Sequence, residues 1–254
     1  MIDIHSHMLP GLDNGPQTMD DTLAMAKTAV SQGIDTVIVT PHHQNGRYHN
    51  QREAIIGVTD YVNAKLQETG IALNILPGQE IRVHETITNG LQDGSLLPLN
   101  QTTRYVLLEL PEDTLPSYLA QLLFDMQIAG YVPVIAHPER HSIIAENPNH
   151  LYDMVKNGVL VQADAASLVG IHGKRVQKLT RKLLQASMVH FMATNTHSAD
   201  SEEFRLAKAY QSMKQSAKFK LQENAELLID GQPIQPDVPT RIKLKRNWNP
   251  LKRN

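Results

Sequence analysis

Seven short apolar runs of strand length, alternating with longer segments of helical period, constrain most strongly what this chain can fold into. The runs cover 2–5, 36–40, 72–76, 105–110, 132–136, 160–163 and 189–193. Between the first two, Met19, Leu23, Ala26 and Val30 recur at helical spacing behind a Thr18–Asp21 capping signal, and Gly33 stops the helix. Similar segments cover 51–68, 116–129, 148–157, 173–187 and 201–217. Strands that are apolar on both faces and alternate with helices imply a parallel sheet covered by helices.

The residues at the ends of these runs are His5, His42, Glu80, Glu109, His137, Asp164 and His197. Their intervals, 27 to 38 residues, match one strand plus one crossover helix. Each unit therefore delivers an imidazole or a carboxylate at the same end of its strand. In closed α/β barrels that end is where side chains from different strands converge. An open doubly wound sheet is the alternative, but it gathers its site at one switch point, and the spread over all strands favours closure. The expectation is an α/β fold, a distorted seven-stranded (β/α)7 barrel with a polar C-terminal mouth.

Composition narrows the chemistry. The chain has 254 residues, a length that α/β barrels use in one core. One domain is expected over 1–235, followed by a flexible tail, 236–254, that is basic from Arg241 onward. A solvated terminus, an acidic partner or an anionic membrane face all suit such a tail. The absence of cysteine excludes disulfides, thiolate-ligated metals and thiolate nucleophiles. A net charge of −2 argues against a dedicated nucleic-acid binder. No apolar stretch is long enough to span a membrane and no leader precedes Asp3, so a cytoplasmic protein is expected. The twelve histidines are the outlier.

His5 and His7, at i and i+2 on a strand, share a face and can reach one ion. Thr40-Pro41-His42-His43 exits its strand in an extended form, and alternation leaves open which imidazole faces the mouth. Glu80 follows an apolar run. Glu109 interrupts one, and a carboxylate buried there needs a cation or strong hydrogen bonds. His137 is followed by Arg140, whose planar guanidinium suits two oxygens of a phosphate. With His197, five imidazoles and two glutamates reach one mouth, too many for one octahedral ion, which implies a two- or three-metal centre. Mixed nitrogen and oxygen ligation suits Mn²⁺, with Fe, Zn or Co as substitutes, and the natural reaction is phosphoester hydrolysis.

Together MIDIHSHMLPGLDNG, TPHH, PGQEI, LLELP, VIAHPER and NTH resemble the polymerase and histidinol phosphatase (PHP) superfamily. More closely they resemble the manganese-dependent protein-tyrosine phosphatases of bacterial capsule and exopolysaccharide loci. The resemblance implies a trinuclear centre. The first metal takes His5, His7, Glu80 and Asn195; the second Glu80, Glu109 and His137; the third Asn14, His42 and His197. It selects His42 over its neighbour, makes Arg140 the phosphate-binding arginine, and leaves Arg205 as the nearest candidate for a second substrate arginine. His43 is a candidate general acid.

The implied reaction is in-line attack on a tyrosine phosphate by a hydroxide that the ions activate. The implied substrate is the tyrosine-rich tail of a membrane-associated bacterial tyrosine kinase. Two positions depart from the family pattern: Asn14 and Asn195 stand where it has aspartates, so two metal-binding charges are missing, although Asp13 adjoins the first. Alternative readings are a weakened relative that binds phosphotyrosine or docks the kinase, and a small-molecule phosphatase such as histidinol phosphatase.

Overall fold

The computed structural model describes residues 1–200 and 204–243. Nine strands are present among them: β1 (Ile2–Ser6), β2 (Thr36–Val39), β3 (His42–His43), β4 (Asn74–Pro77), β5 (Glu80–Arg82), β6 (Tyr105–Glu109), β7 (Val132–Ala136), β8 (Leu160–Asp164) and β9 (Phe191–Ala193). All pair in parallel, in the orders β1-β2-β4 and β3-β5-β6-β7-β8-β9. Two of the expected strands, 36–40 and 72–76, are prolonged by a second short piece beyond a break. Pro41, which has no N–H to give to a ladder, separates β2 from β3. Gly78 separates β4 from β5, where a Cβ would lie 2.8 Å from Cγ2 of Ile38. Counting each split strand once leaves the seven expected positions.

The two sheets meet again where β1 passes β9. Asn195 N donates to His5 O and His7 N to Thr196 O, each at 2.9 Å, around a Ser6–Thr196 bridge. Buried Asp3 reinforces this seam by accepting from Thr194 N (3.0 Å) and Thr194 Oγ1 (2.5 Å).

Alternation along the strands sorts their side chains into two sets. Ile4, Ile38, Leu107, Val134, Leu160 and Phe191 pack together in one cluster. Their neighbours Val37, Val39, Val161 and Met192 pack with helix residues such as Met25, Val62 and Leu183 in another, and Val106, Leu108 and Ile135 join Leu119 and Met126 in a third. The helices are α1 (Met19–Ser31), α2 (Arg52–Glu68), α3 (Ile87–Gln92), α4 (Leu119–Ile128), α5 (Ser142–Glu146), α6 (Asn149–Lys156), α7 (Ala165–Val169), α8 (Gly173–Gln185), α9 (Leu206–Gln211) and α10 (Gln215–Ile229). Thr18 caps α1 as expected, its Oγ1 accepting from Asp21 N. None of the helices among the described residues is long and apolar enough to cross a membrane.

The expected helix over 201–217 is instead α9 and α10, parted near Ser212, with 201–203 outside the described residues. Helix α10 had no clear sequence signature, yet Ala225 and Leu228 enter the inner cluster and Asn224 Nδ2 donates to His190 O. It thereby packs against β1 and β9.

Part of the expected flexible tail is held in place. Thr240 N donates to Ala186 O, Arg241 pairs with Asp153 at 2.8 Å and covers the Tyr152 ring, and Ile242 packs against the core. The two contacts of Arg241 and the partly buried Ile242 offset the entropy of ordering this segment. Residues 244–254 lie outside the described set.

Candidate metal centre

At the C-terminal ends of the strands, Glu80 is the hub. It is fully buried on β5, directly opposite His42 in the β3–β5 register. Its Oε2 lies 2.7 Å from His42 Nδ1, 3.5 Å from His7 Nε2 and 3.6 Å from His5 Nε2, and its Oε1 lies 2.9 Å from His137 Nε2. Glu109 Oε2 is 3.6 Å from His42 Nδ1, and the rings of His7 and His197 stack 4.0 Å apart. His5, His7 and Glu80 form one group whose ligand atoms all lie within 4.8 Å of one another; His42, Glu80 and Glu109 form a second, and His7, His42 and His197 a third.

Local backbone irregularities aim these side chains. The β1–β2 register slips between Asp3 and Ser6, and His5 within the slip and His7 just beyond it bring their Nε2 atoms to 3.2 Å. His137 and Asn195 have positive φ values of 31° and 52°, conformations that non-glycine residues adopt at a cost and that concentrate at functional sites.

Burial alone would push His42 toward neutrality; the charges of Glu80 and Glu109 outweigh it and raise the imidazole to about 10. His137 is likewise raised to about 9 by Glu80 and Asp164 against its burial. For Glu80, burial is outweighed by His5, His42 and His137, which hold the carboxyl well below its usual range. His197, buried and crowded by His7 and His42, falls to about 3. The carboxylates thus demand positive charge and the imidazoles compete to supply it.

The donor set fits divalent ions. His42 Nδ1 and Glu80 Oε2 are 2.7 Å apart but misaligned for a hydrogen bond, and both are buried without a hydrogen-bond partner. Asn195 Oδ1 is also buried and unpartnered. His7 gives its Nδ1–H to Asp13 (2.6 Å) and His5 its Nδ1–H to Gln162 Oε1 (2.9 Å), which leaves both Nε2 lone pairs facing inward.

A supporting layer surrounds the cluster. Buried Asp13 also accepts from Gly15 N (2.9 Å) and His42 N (3.1 Å). Burial would raise its carboxyl, but the hydrogen bond and charge of His7 together with the Gly15 and His42 N–H groups outweigh it and hold it at about 2. The loop folds so tightly that a Cβ on Gly15 would sit 2.1 Å from His7 O. Asp164 accepts from Arg140 Nη1 (3.0 Å), Asn195 Nδ2 (3.2 Å) and Gln162 Nε2 (3.0 Å). Gln162 carries a signal that sequence reasoning left unused: a polar residue inside an apolar strand, two positions before the strand-end Asp164.

His5, His7, His42, Glu80, Glu109, His137 and His197 therefore lie together at these strand ends. Asn195 joins through its amide. Asn14 is exposed, whereas Asp13 beside it is buried and tied into the cluster through His7 Nδ1 and His42 N. His43, the candidate general acid, pairs in register with Ile81 rather than Glu80. Its Nδ1–H goes to Asn50 O (2.7 Å), and with His49 and His84 it lines a separate cavity of about 580 Å³. It is thus turned away from the cluster. Arg140 lines a 320 Å³ cavity with Glu109 and His137. Arg205 immediately precedes α9.

The model of the family described as capsular polysaccharide synthesis, CpsB/CapC, matches residues 1–231. Tyrosine-protein phosphatase YwqE of Bacillus subtilis (strain 168) is 41% identical over 97% of this chain and 98% of its own. Tyrosine-protein phosphatase CpsB of Streptococcus agalactiae serotype V is 26% identical over 92% of this chain and 100% of its own. A solved structure, described with YwqE from B. subtilis and CpsB from Streptococcus pneumoniae as metal-dependent tyrosine phosphatases, superposes with a TM-score of 0.93 at 41% identity. It covers 96% of this chain and 100% of that one. An amidohydrolase structure, 14% identical with a TM-score of 0.51 over 90% of this chain and 99% of its own, shares the fold alone. The match along nearly the whole chain places this protein in the CpsB/CapC family of capsular polysaccharide synthesis.

Proposed function

We propose that the chain is a metal-dependent protein-tyrosine phosphatase, cytoplasmic, acting on the tyrosine-rich tail of a bacterial kinase that governs polysaccharide export. The observation that carries this reading is the convergence of five imidazoles and two glutamates, with unpartnered buried ligand atoms, beside a half-exposed arginine.

Two or three Mn²⁺ ions are the assigned cofactors. His5, His7, Glu80 and Asn195 serve one ion, and Glu80, Glu109 and His137 a second. His42 and His197 serve a third, for which buried Asp13, hydrogen-bonded to His7 Nδ1 and His42 N, is the remaining support in place of the exposed Asn14. Such ions supply Lewis acidity, lowering the pKa of water and offsetting phosphoryl charge.

The chain's own residues do the rest. Arg140 presents its guanidinium to the phosphoryl oxygens, and Asp164 holds one of its nitrogens so that the remaining donors face the cavity. Asp13 and Gln162 fix the tautomers of His7 and His5. A phenolate leaving group, with a pKa near ~10, departs without a dedicated acid, which agrees with His43 lying elsewhere. Arg205 is a second candidate for the phosphopeptide.

Asn195 keeps the weakened docking protein in view, because its amide spends its donor on Asp164 and brings no charge. The deciding experiment is phosphate release from a phosphotyrosine peptide after Mn²⁺ loading, alongside elemental analysis. Two to three equivalents of metal with turnover are expected. Metal-free protein that binds the peptide without cleaving it would overturn the enzyme reading.

A further inference from the structure

Helix α8 reads GKRVQKLTRKLLQ, with five cations and no acid. Its apolar side is used: Leu179 and Leu183 are buried in the core. Its basic side is unmatched, since none of the five forms an ion pair with a described residue. Like charges three and four residues apart repel, and Lys174 and Arg175 stand in the first turn, where the helix dipole disfavours cations. A stripe that serves solubility alone would mix signs.

This helix packs on the turn 138–140 that carries Arg140. A groove of about 510 Å³ runs between them, and Arg175, Lys178, Lys182 and Lys243 line it. Arg140 and Ser142 line both this groove and the cavity beside Glu109 and His137, so the two spaces adjoin at Arg140. The groove contains two acids. Glu139 is buried and accepts from Asp164 N, and Glu146 is exposed. The cations outnumber them.

Arg175, Lys178 and Lys182 follow at i, i+3 and i+7 on one face, a row ~10 Å long. An extended peptide covers that distance in ~3 residues. We propose that this groove is a second anion subsite, which binds acidic or phosphorylated residues flanking the phosphotyrosine held at Arg140. The proposal rests on the phosphatase reading for the identity of the central residue. It adds the chemistry of the flanks.

The test compares wild-type protein with the Arg175→Ser/Lys178→Ser/Lys182→Ser variant, both Mn²⁺-loaded. The probe is a fluorescent peptide carrying a non-hydrolysable phosphonate in place of phosphotyrosine, with either acidic or neutral flanks. The variant is expected to bind the acidic peptide ~10-fold more weakly, with a shallower salt dependence, and the neutral peptide unchanged. A single Arg175→Glu change at an exposed position serves if the triple variant does not fold. It should weaken the acidic peptide and favour one with lysine flanks. Equal affinities of wild type and variant for the acidic peptide, or equal losses on both peptides, overturn the proposal. So does a variant that loses flotation with phosphatidylserine vesicles while keeping the peptide, which hands the groove to a membrane. Turnover of p-nitrophenyl phosphate is read separately. Its absence in wild type sinks the phosphatase reading, while the anisotropy still decides the groove.

Discussion

Arg82 holds Glu109 through two hydrogen bonds of 3.0 Å, Nε to Oε2 and Nη2 to Oε1, across directly paired positions of β5 and β6. The same Oε2 lies 3.6 Å from His42 Nδ1, so one carboxylate serves both a guanidinium fork and the ligand cluster. Arg82→Met is expected to cut kcat/KM on a phosphotyrosine peptide by ~10 to 100-fold, the usual cost of removing a residue that orients a ligand. Arg82→Lys should recover only part, because an ammonium cannot make the fork. Steady-state kinetics decide this, and unchanged rates would mean that Glu109 needs no such support.

Asn195 Oδ1 is buried and unpartnered while its Nδ2 serves Asp164. Asn195→Asp adds the charge that the ion cluster lacks, and metal retained after dialysis and peptide turnover should both rise several-fold. Elemental analysis of the dialysed protein checks the first. No change in either would remove residue 195 from the ligand set.

At the seam between β1 and β9, Thr194→Val deletes the hydroxyl that Asp3 Oδ2 accepts from and leaves a buried carboxylate oxygen short of a partner. The expected loss is ~2 to 3 kcal/mol in urea unfolding. Thr194→Ser, which keeps the hydroxyl, should lose much less.

His190 offers a pH test away from the cluster. Burial lowers its imidazole to about 4, and Nδ1 accepts from Val161 N at 3.0 Å, so the native ring is neutral. Between pH ~6.5 and 4 the unfolded chain binds a proton that the native state refuses. The contribution of His190 is therefore complete above ~6.5 and fades as the pH falls, on the order of 3 kcal/mol in all. Buried Asp3, raised by desolvation to about 6, pulls the opposite way over part of this window. The difference between wild type and His190→Gln isolates the sign: it should shrink from pH 7.5 to 4.5 in urea titrations.

Removing metal tests the cluster as structure. Ions shared between His5 and His7 on one side and Asn195 and His197 on the other would bind the native state alone, so a chelator should lower Tm, and Mn²⁺ should restore it. An unchanged Tm would argue that the ring holds without them.

The strand ends are legible in the sequence because a polar residue closing an apolar run is costly unless it has a task, and seven such residues recur at one spacing. The short strands beyond Pro41 and Gly78 are less legible, since each lies past the end of its apolar run and is only two or three residues long. Alternation alone could not separate His42 from His43; the register against Glu80 and Ile81 does. The fork from Arg82 to Glu109 joins residues 27 apart with no local pattern to announce it. Asn14 and Asp13 differ only in which one the tight Gly15 turn directs inward, a matter of backbone geometry.

The seam at Ser6 and Thr196 brings the first strand to the last. A nascent chain emerging from a ribosome presents His5 and His7 nearly two hundred residues before the partners opposite them. Loading of the complete cluster is therefore a late event in synthesis, and a truncated product that ends before residue 197 would lack a complete site, however well its early strands had formed.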